Sequence, residues 1–238
     1  MDKSGKLYIV ATPIGNLEDI TLRALRILKE ANLILCEDTR VTKKLLDRYE
    51  IQKPLLSYHH HSKLSRVEKI IEHLENGKTL ALVSDAGTPG VSDPGNELIA
   101  SLLDPKIRSS AILRSDLRKE IEIIPIPGAS AVMAIASVAG INMSKFSFLG
   151  FPPHKKGRET FFRGVAEAKY PVIYFESPYR FLKNLELLEK LKPDAKLIVG
   201  RELTKMFEEI KRGNIREILG FYRNNRDKNK GEFVVIVY

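Results

Sequence analysis

A glycine- and proline-rich string, Ser84-Asp85-Ala86-Gly87-Thr88-Pro89-Gly90-Val91-Ser92-Asp93-Pro94-Gly95, lies between an apolar run, Thr79–Val83, and a helix-patterned segment, Asn96–Leu103. It therefore sits where a strand hands over to a helix. Its glycines allow positive φ and a close approach of backbone to a ligand, while its prolines fix φ and remove donors. A loop of this kind at the carboxyl end of a strand is where open α/β sheets bind ligands. An ordinary turn needs one or two such residues; three glycines, two prolines, two aspartates and two serines in twelve positions exceed that need.

The same alternation runs along the chain. Lys6–Ala11, Leu33–Cys36, Leu55–Tyr58 and Ile121–Pro125 read as further strands. Helical periodicity covers Thr21–Ala31, the region around Leu45 and Leu46, and Lys63–Asn76, the last closed by Gly77 as a C-cap. Strands alternating with helices predict a parallel sheet covered on both faces. A second α/β pattern starts at Pro127-Gly128-Ala129-Ser130. Its expected strands are Phe146–Gly150, Val172–Glu176, Ala195–Gly200 and Gly231–Val237, and its expected helices are Ala131–Ala139, Gly157–Glu167, Tyr179–Leu191 and Ile215–Leu219. The predicted class is α/β with two domains, 1–124 around a parallel sheet and 125–238 around a mixed one.

Composition narrows the partners. With 39 basic against 30 acidic residues the chain carries a formal +9, which suits a polyanion such as nucleic acid and equally describes a merely soluble basic protein. The single cysteine, Cys36, excludes an intrachain disulfide and a cysteine-cluster zinc site, and fits a reducing compartment such as the cytoplasm. No apolar run approaches the roughly 18 residues of a membrane span. Met1–Gly5 runs straight into a strand, so no signal peptide is expected. Asn76-Gly77-Lys78-Thr79 mimics the end of a P-loop, but the motif's first glycine would fall at Glu72 inside a helix, and a strand follows. A dinucleotide Gly-x-Gly-x-x-Gly fingerprint is missing.

Six strings occur in order: Ala11-Thr12-Pro13-Ile14-Gly15-Asn16-Leu17, Cys36-Glu37-Asp38-Thr39-Arg40, the Ser84–Gly95 loop, Pro127-Gly128-Ala129-Ser130-Ala131, Phe175-Glu176-Ser177-Pro178-Tyr179-Arg180 and Gly200-Arg201-Glu202-Leu203-Thr204-Lys205. The set, spread from about Lys6 to Val237, resembles the ribosomal RNA small subunit methyltransferase I family. That family lies within the tetrapyrrole-methylase-like class of S-adenosylmethionine (SAM) enzymes. The Ser84–Gly95 string is specific to the family; the Pro-Gly-Ala-Ser string is shared by the class. The resemblance implies a SAM cleft between two α/β domains, a homodimer, and 2′-O-methylation of a cytidine in the decoding region of small-subunit (16S) rRNA. It assigns Pro13, Ala86, Gly87, Thr88, Val91, Ser130, Ala131, Phe175 and Leu203 to the cofactor, with Phe175 on the adenine side. Two departures concern the RNA surface: the basic stretch Lys106–Lys119 is longer than expected, and the chain ends directly after Phe233–Val237, where many members continue with a further helical extension.

Methyl transfer to a ribose hydroxyl is an in-line displacement that gains much of its rate from positioning, and an acceptor for the hydroxyl proton helps. Asp85 and Glu37 are the candidates, with Asp38 and the histidines His59 and His60 behind them. Each has a structural alternative: Asp38 or Thr39 as a helix N-cap, and Asp85 as the anchor of its own turn. Arg40 joins Asp85 and Glu37 as a catalytic candidate, and Arg40 and Arg201 have the planar fork that clamps phosphate. His59, His60 and Arg180 are further candidates for RNA contact. Ser177 with Pro178 equally fits an N-cap and N1 pair, and Tyr179 is a candidate for stacking on RNA. Consecutive histidines point to opposite faces of a strand and no second ligand cluster accompanies them, so no metal site is expected. The alternatives to an rRNA methyltransferase are a small-molecule methylase acting on a tetrapyrrole and a noncatalytic basic RNA-binding protein.

Overall fold

A computed structural model of the chain describes residues 5–59, 64–93, 95–104 and 121–238. His60, Pro94 and the basic stretch 106–119 lie outside them. The chain forms two compact units, Met1–Ser130 and Ala131–Tyr238, and each is considered by itself.

In the first unit, five short strands, β1 (Gly5–Val10), β2 (Leu33–Cys36), β3 (Leu55–Ser57), β4 (Thr79–Leu82) and β5 (Ile121–Ile126), form one parallel sheet in the order β3-β2-β4-β1-β5. The sheet has helices on both faces, as its apolar strands require. Leu22–Glu30 and Thr39–Arg48 bury Ala24, Ile27, Leu28 and Leu46 against one face. Leu64–Glu75 and Gly95–Leu103 bury Val67, Ile70, Ile71, Leu74, Leu98 and Leu102 against the other. Local chemistry sets the helix ends. Thr21 Oγ1 accepts from Ala24 N at 3.0 Å, Asp38 caps the helix Thr39–Arg48, and Gly77 leaves Leu64–Glu75 at φ +72°.

The expected boundary at 124/125 cuts through β5, which pairs with β1 as far as Val10 opposite Ile126; the compact first unit extends to Ser130. Pro125 reads as a strand end in the sequence, yet it sits inside β5, at the sheet's edge, where a missing N–H is tolerated.

Gly5 is where backbone approaches backbone. A Cβ built there would stand 1.9 Å from the carbonyl oxygen of Leu74, in the last turn of Leu64–Glu75. Gly5→Ala must push β1 away from that helix, and it is expected to destabilise the protein by about 3 kcal/mol, as overpacking of a tight core does. Urea denaturation of the variant measures the loss.

The second unit is built on β6 (Ser147–Phe148), β7 (Val172–Glu176), β8 (Lys196–Arg201), β9 (Glu209–Asn214) and β10 (Phe233–Val237), in the order β6-β7-β10-β8-β9. Only β6 and β7 are parallel, so this sheet is mixed. Arg158–Ala166, Phe181–Leu191 and Ile215–Asn224 cover one face around Phe162, Tyr174, Phe181, Tyr222 and Phe233. Toward the other face Gly200 packs beneath Ile135 of the helix Ala131–Ser137. β9 has no counterpart in the sequence reading. Its Glu-Ile-Lys-Arg-Gly-Asn is too polar to signal a strand, and it survives as a charged edge paired only with β8.

Candidate active site

Sheet order locates a ligand crevice in the first unit before any side chain is considered. β1 and β4 are neighbours. The chain leaves β1 for helices on one face and leaves β4 for Gly95–Leu103 on the other. Their carboxyl ends therefore diverge, which makes a topological switch point. The two loops meet there: Thr12 N donates to Gly87 O at 2.9 Å, and Gly87 N donates to Thr12 O at 3.0 Å.

Buried hydroxyls fix this junction. Thr12 Oγ1 donates to Ser84 O at 3.2 Å. Thr88 Oγ1 donates to Ala129 O at 3.1 Å, drawing in the loop after β5. Gly87 holds φ +80°, and a Cβ on it would stand 3.4 Å from Ile14 Cγ2 and 3.8 Å from Ala129 O. Gly128 packs onto Ala11, with 2.9 Å between that Cβ and one built on Gly128. Backbone and small residues thus form the junction of three loops. Asp93 closes the far end, where its Oδ1 accepts from Gly90 N at 2.6 Å and from Gly95 N at 2.9 Å. Of the expected cofactor residues in this unit, Pro13 and Gly87 are buried, Thr88 and Ser130 half-buried, and Ala86 and Val91 exposed.

Beside the crevice, the ends of β2 and β4 bring three carboxylates together. Asp38 N donates to Asp85 Oδ1 at 3.0 Å, so Asp85 ties two strand ends together rather than anchoring its own turn. Asp38 has the capping role: its Oδ1 accepts from Arg40 N at 2.8 Å. The Asp38 carboxylate also takes the Arg40 guanidinium in a fork, Nη2 to Oδ2 at 2.6 Å. Glu37 lines a recess of about 10 Å³ with Ser84, Pro89 and Asp93, room for about one water and none for a ribose. Cys36 is buried beneath, and burial pushes its thiol up, which makes it a poor nucleophile.

The Arg40 fork holds the Asp38 carboxyl at about 2, below its ordinary 3.8. A lowered carboxyl stabilises the folded state fully above its ordinary value, and the contribution is lost as pH falls through about 2. Asp38→Asn keeps a capping oxygen but loses the charge. Melting curves of the two proteins are expected to differ at mildly acidic pH and to converge toward pH 2.

Arginines expected at RNA separate into two kinds. Arg40 is 86% exposed. In the second unit Arg180 and Arg201 turn inward, with side chains only 15% and 11% exposed. Arg201 lies against Glu209, its Nε 3.9 Å from Oε1, and that Nε has no hydrogen-bond acceptor among the described residues. Arg180 Nη1 donates to Pro152 O at 3.0 Å while its Nε faces Glu176 at 3.9 Å. Neither is an open phosphate clamp. His59 is half-buried.

Glu176 is a residue that sequence reasoning missed. It is buried, accepts from Ser177 N at 2.8 Å and from Asn184 Nδ2, and burial pushes its carboxyl up. The N-cap expected of Ser177 does not form: the helix begins at Phe181 after a turn, with Arg180 in the cap position and no side-chain cap bond. Phe175 is half-buried, its ring 5.0 Å from Phe148 and 5.2 Å from Phe151. Ala131 is half-buried, and Leu203 is buried against Gly200.

Comparison with known proteins settles the family. The Tetrapyrrole (Corrin/Porphyrin) Methylases profile matches residues 6–219. The chain is 42% identical over 235 residues to a ribosomal RNA small subunit methyltransferase I from Neisseria meningitidis serogroup B, covering 98% of this chain and 76% of that protein. The Thermotoga maritima protein of the same name is 40% identical, with 98% of each chain covered. The chain belongs to the ribosomal RNA small subunit methyltransferase I family. It is accordingly a methyltransferase whose methyl donor is S-adenosylmethionine. Solved structures with the same fold include the methyltransferase CobJ, at TM-score 0.67 and 21% identity over 98% of this chain and 94% of that one. Diphthine synthase follows at TM-score 0.68 and 15% identity over 98% and 89%. The chemistry of the switch-point crevice fits such a donor: glycine backbone without a Cβ at Gly87 and Gly128 allows a close approach. Among the described residues no helix is long and apolar enough to cross a membrane.

Proposed function

We propose that this enzyme methylates the 2′-oxygen of a cytidine ribose in the decoding region of 16S rRNA, within the small ribosomal subunit. The observation that carries the reading is about 40% identity, over nearly the whole chain, to proteins named for small-subunit rRNA methylation. The same reading places the protein in the cytoplasm and makes it a homodimer, the assembly general in its class.

When bound, S-adenosylmethionine supplies an electrophilic methyl group on a sulfonium. Around it, the backbone of Ala86 and Thr88 would hold the polar end of the donor, and Gly87, whose N–H and carbonyl pair with Thr12, would allow its close approach without demanding side-chain space. Pro13 and Ser130 flank that loop, and Val91 offers an apolar contact. Ala131, Phe175 and Leu203 of the second unit are proposed for the same donor, Phe175 for its adenine. The acceptor is the ribose hydroxyl, whose oxygen would receive the methyl group that the bound donor supplies. Asp85 is the residue proposed to take the hydroxyl proton, because it is exposed and the N–H of Asp38 fixes its orientation. Arg40 is proposed to hold a neighbouring phosphate, its guanidinium oriented by Asp38.

Incubation of purified small subunits, free rRNA and a tetrapyrrole with methyl-labelled SAM tests the acceptor. Label is expected in RNA and absent from the tetrapyrrole; the reverse overturns the reading.

A further inference from the structure

Arg180 and Arg201 are turned inward, and many other cations of the second unit are spoken for. Arg216 and Arg223 pair with Glu189 and Glu186, Lys205 with Glu202 and Glu232, and Lys228 with Glu209. Lys211 lies over the ring of Phe221. Lys183, Lys190, Lys196, Arg226 and Lys230 also lack a side-chain partner among the described residues, but the turn 150–158, Gly-Phe-Pro-Pro-His-Lys-Lys-Gly-Arg, sets adjacent cations beside an exposed aromatic ring. His154, Lys155 and Lys156 are exposed, and their side chains have no hydrogen-bond or ion-pair partner among the described residues. The turn contains no acidic residue. Phe151 stands beside them, 53% exposed although it is a large aromatic.

This turn is braced. Phe175 N donates to Gly150 O at 2.8 Å, Arg158 N to Lys155 O at 3.3 Å, and Gly157 takes φ +86°. Arg180, itself set by buried Glu176, holds Pro152 O. Its neighbour Tyr179 is 95% exposed. Unpaired cations on a fixed turn attract phosphates, and a fixed exposed ring offers a face on which any unpaired base can stack. The combination of aromatic and unneutralised lysines is the recognition chemistry of single-stranded RNA.

We propose that the turn 150–158 is a docking surface for single-stranded RNA, with Phe151 stacking on a base and Lys155 and Lys156 on the flanking phosphates. The proposal rests on the rRNA reading above and adds to it the surface that carries the substrate. In this arrangement Glu176 and Arg180 are positioning residues that hold the turn without touching RNA.

The test measures binding of the full-length protein to a decoding-region rRNA fragment and to intact small subunits at several salt concentrations, with SAM affinity followed by calorimetry. Lys155→Ala with Lys156→Ala is expected to weaken RNA binding about tenfold at physiological salt. It should also make the slope of log affinity on log salt shallower by roughly 1.4, two single-strand phosphate contacts. Phe151→Ala is expected to weaken RNA binding from about fivefold to a hundredfold with the slope unchanged, and Phe151→Tyr to restore it. All three variants should bind SAM like the wild type. Wild-type affinity and slope in the double lysine variant would overturn the surface while the rRNA reading stands. So would loss of SAM binding alone in Phe151→Ala, which would give that ring to the cofactor. Unchanged fragment binding with weakened subunit binding would assign the turn to a ribosomal protein instead. A wild-type enzyme that neither binds nor methylates rRNA would remove both claims together.

Discussion

Gly87→Val is expected to lower the affinity for S-adenosylmethionine by about 100-fold, roughly 3 kcal/mol, while the protein stays folded. Gly87 holds φ +80°, a conformation that costs an L-residue about 1–2 kcal/mol and a β-branched one more. It cannot relax, because its N–H and its carbonyl are both committed to Thr12. The new side chain would begin 3.4 Å from Ile14 and extend its branches among the loops that meet at the switch point. Gly87→Ala provides the graded control: it pays the backbone strain and intrudes less, so its affinity should fall between the two. Calorimetric titration with SAM, beside a urea melt of each variant, separates binding from stability. Wild-type affinity in Gly87→Val would remove the loop from the cofactor site.

Asp85→Asn is expected to reduce kcat about 100-fold, the lower end of what a positioned proton acceptor contributes, with SAM affinity unchanged. Asparagine is nearly isosteric, and its Oδ1 still accepts from Asp38 N, so the tie between the ends of β2 and β4 survives. Only the charge and the capacity to take a proton are lost. Asp85→Ala would in addition free the Asp38 N–H and loosen the cap on Thr39–Arg48, and should therefore cost stability as well. Single-turnover methylation of small subunits reads the chemical step directly. An unchanged rate in Asp85→Asn would make this residue a structural tie, with Glu37 the next group to test.

Apolar runs made β1, β2, β4, β7 and β10 legible, because a strand buried on both faces has no polar alternation to confuse it. The crevice was legible for a related reason: a strand, a glycine-rich loop and a helix in sequence leave few places for a ligand. The contacts that tune it were not. Asp38 and Asp85 are 47 residues apart in the chain, and nothing local in either segment announces that one will donate to the other. Glu176 looked like one charge at a strand end, yet packing buries it and makes it the acceptor for the Ser177 N–H, and the helix that Ser177-Pro178 suggested would start there begins only at Phe181. Arg180 and Arg201 carry the right chemistry for phosphate but are spent on Glu176 and Glu209. Side-chain type is visible in a sequence; the direction in which it points is decided by tertiary structure.

Methyl transfer to a ribose 2′-oxygen of small-subunit rRNA is tested most directly by the product's resistance to alkali. A 2′-O-methyl group removes the hydroxyl that cleaves the adjacent phosphodiester in base. After reaction of small subunits with labelled SAM and complete alkaline hydrolysis, label is expected in a hydrolysis-resistant dinucleotide beginning with methylated cytidine from the decoding region. Label recovered in a mononucleotide, as base methylation would give, would contradict it.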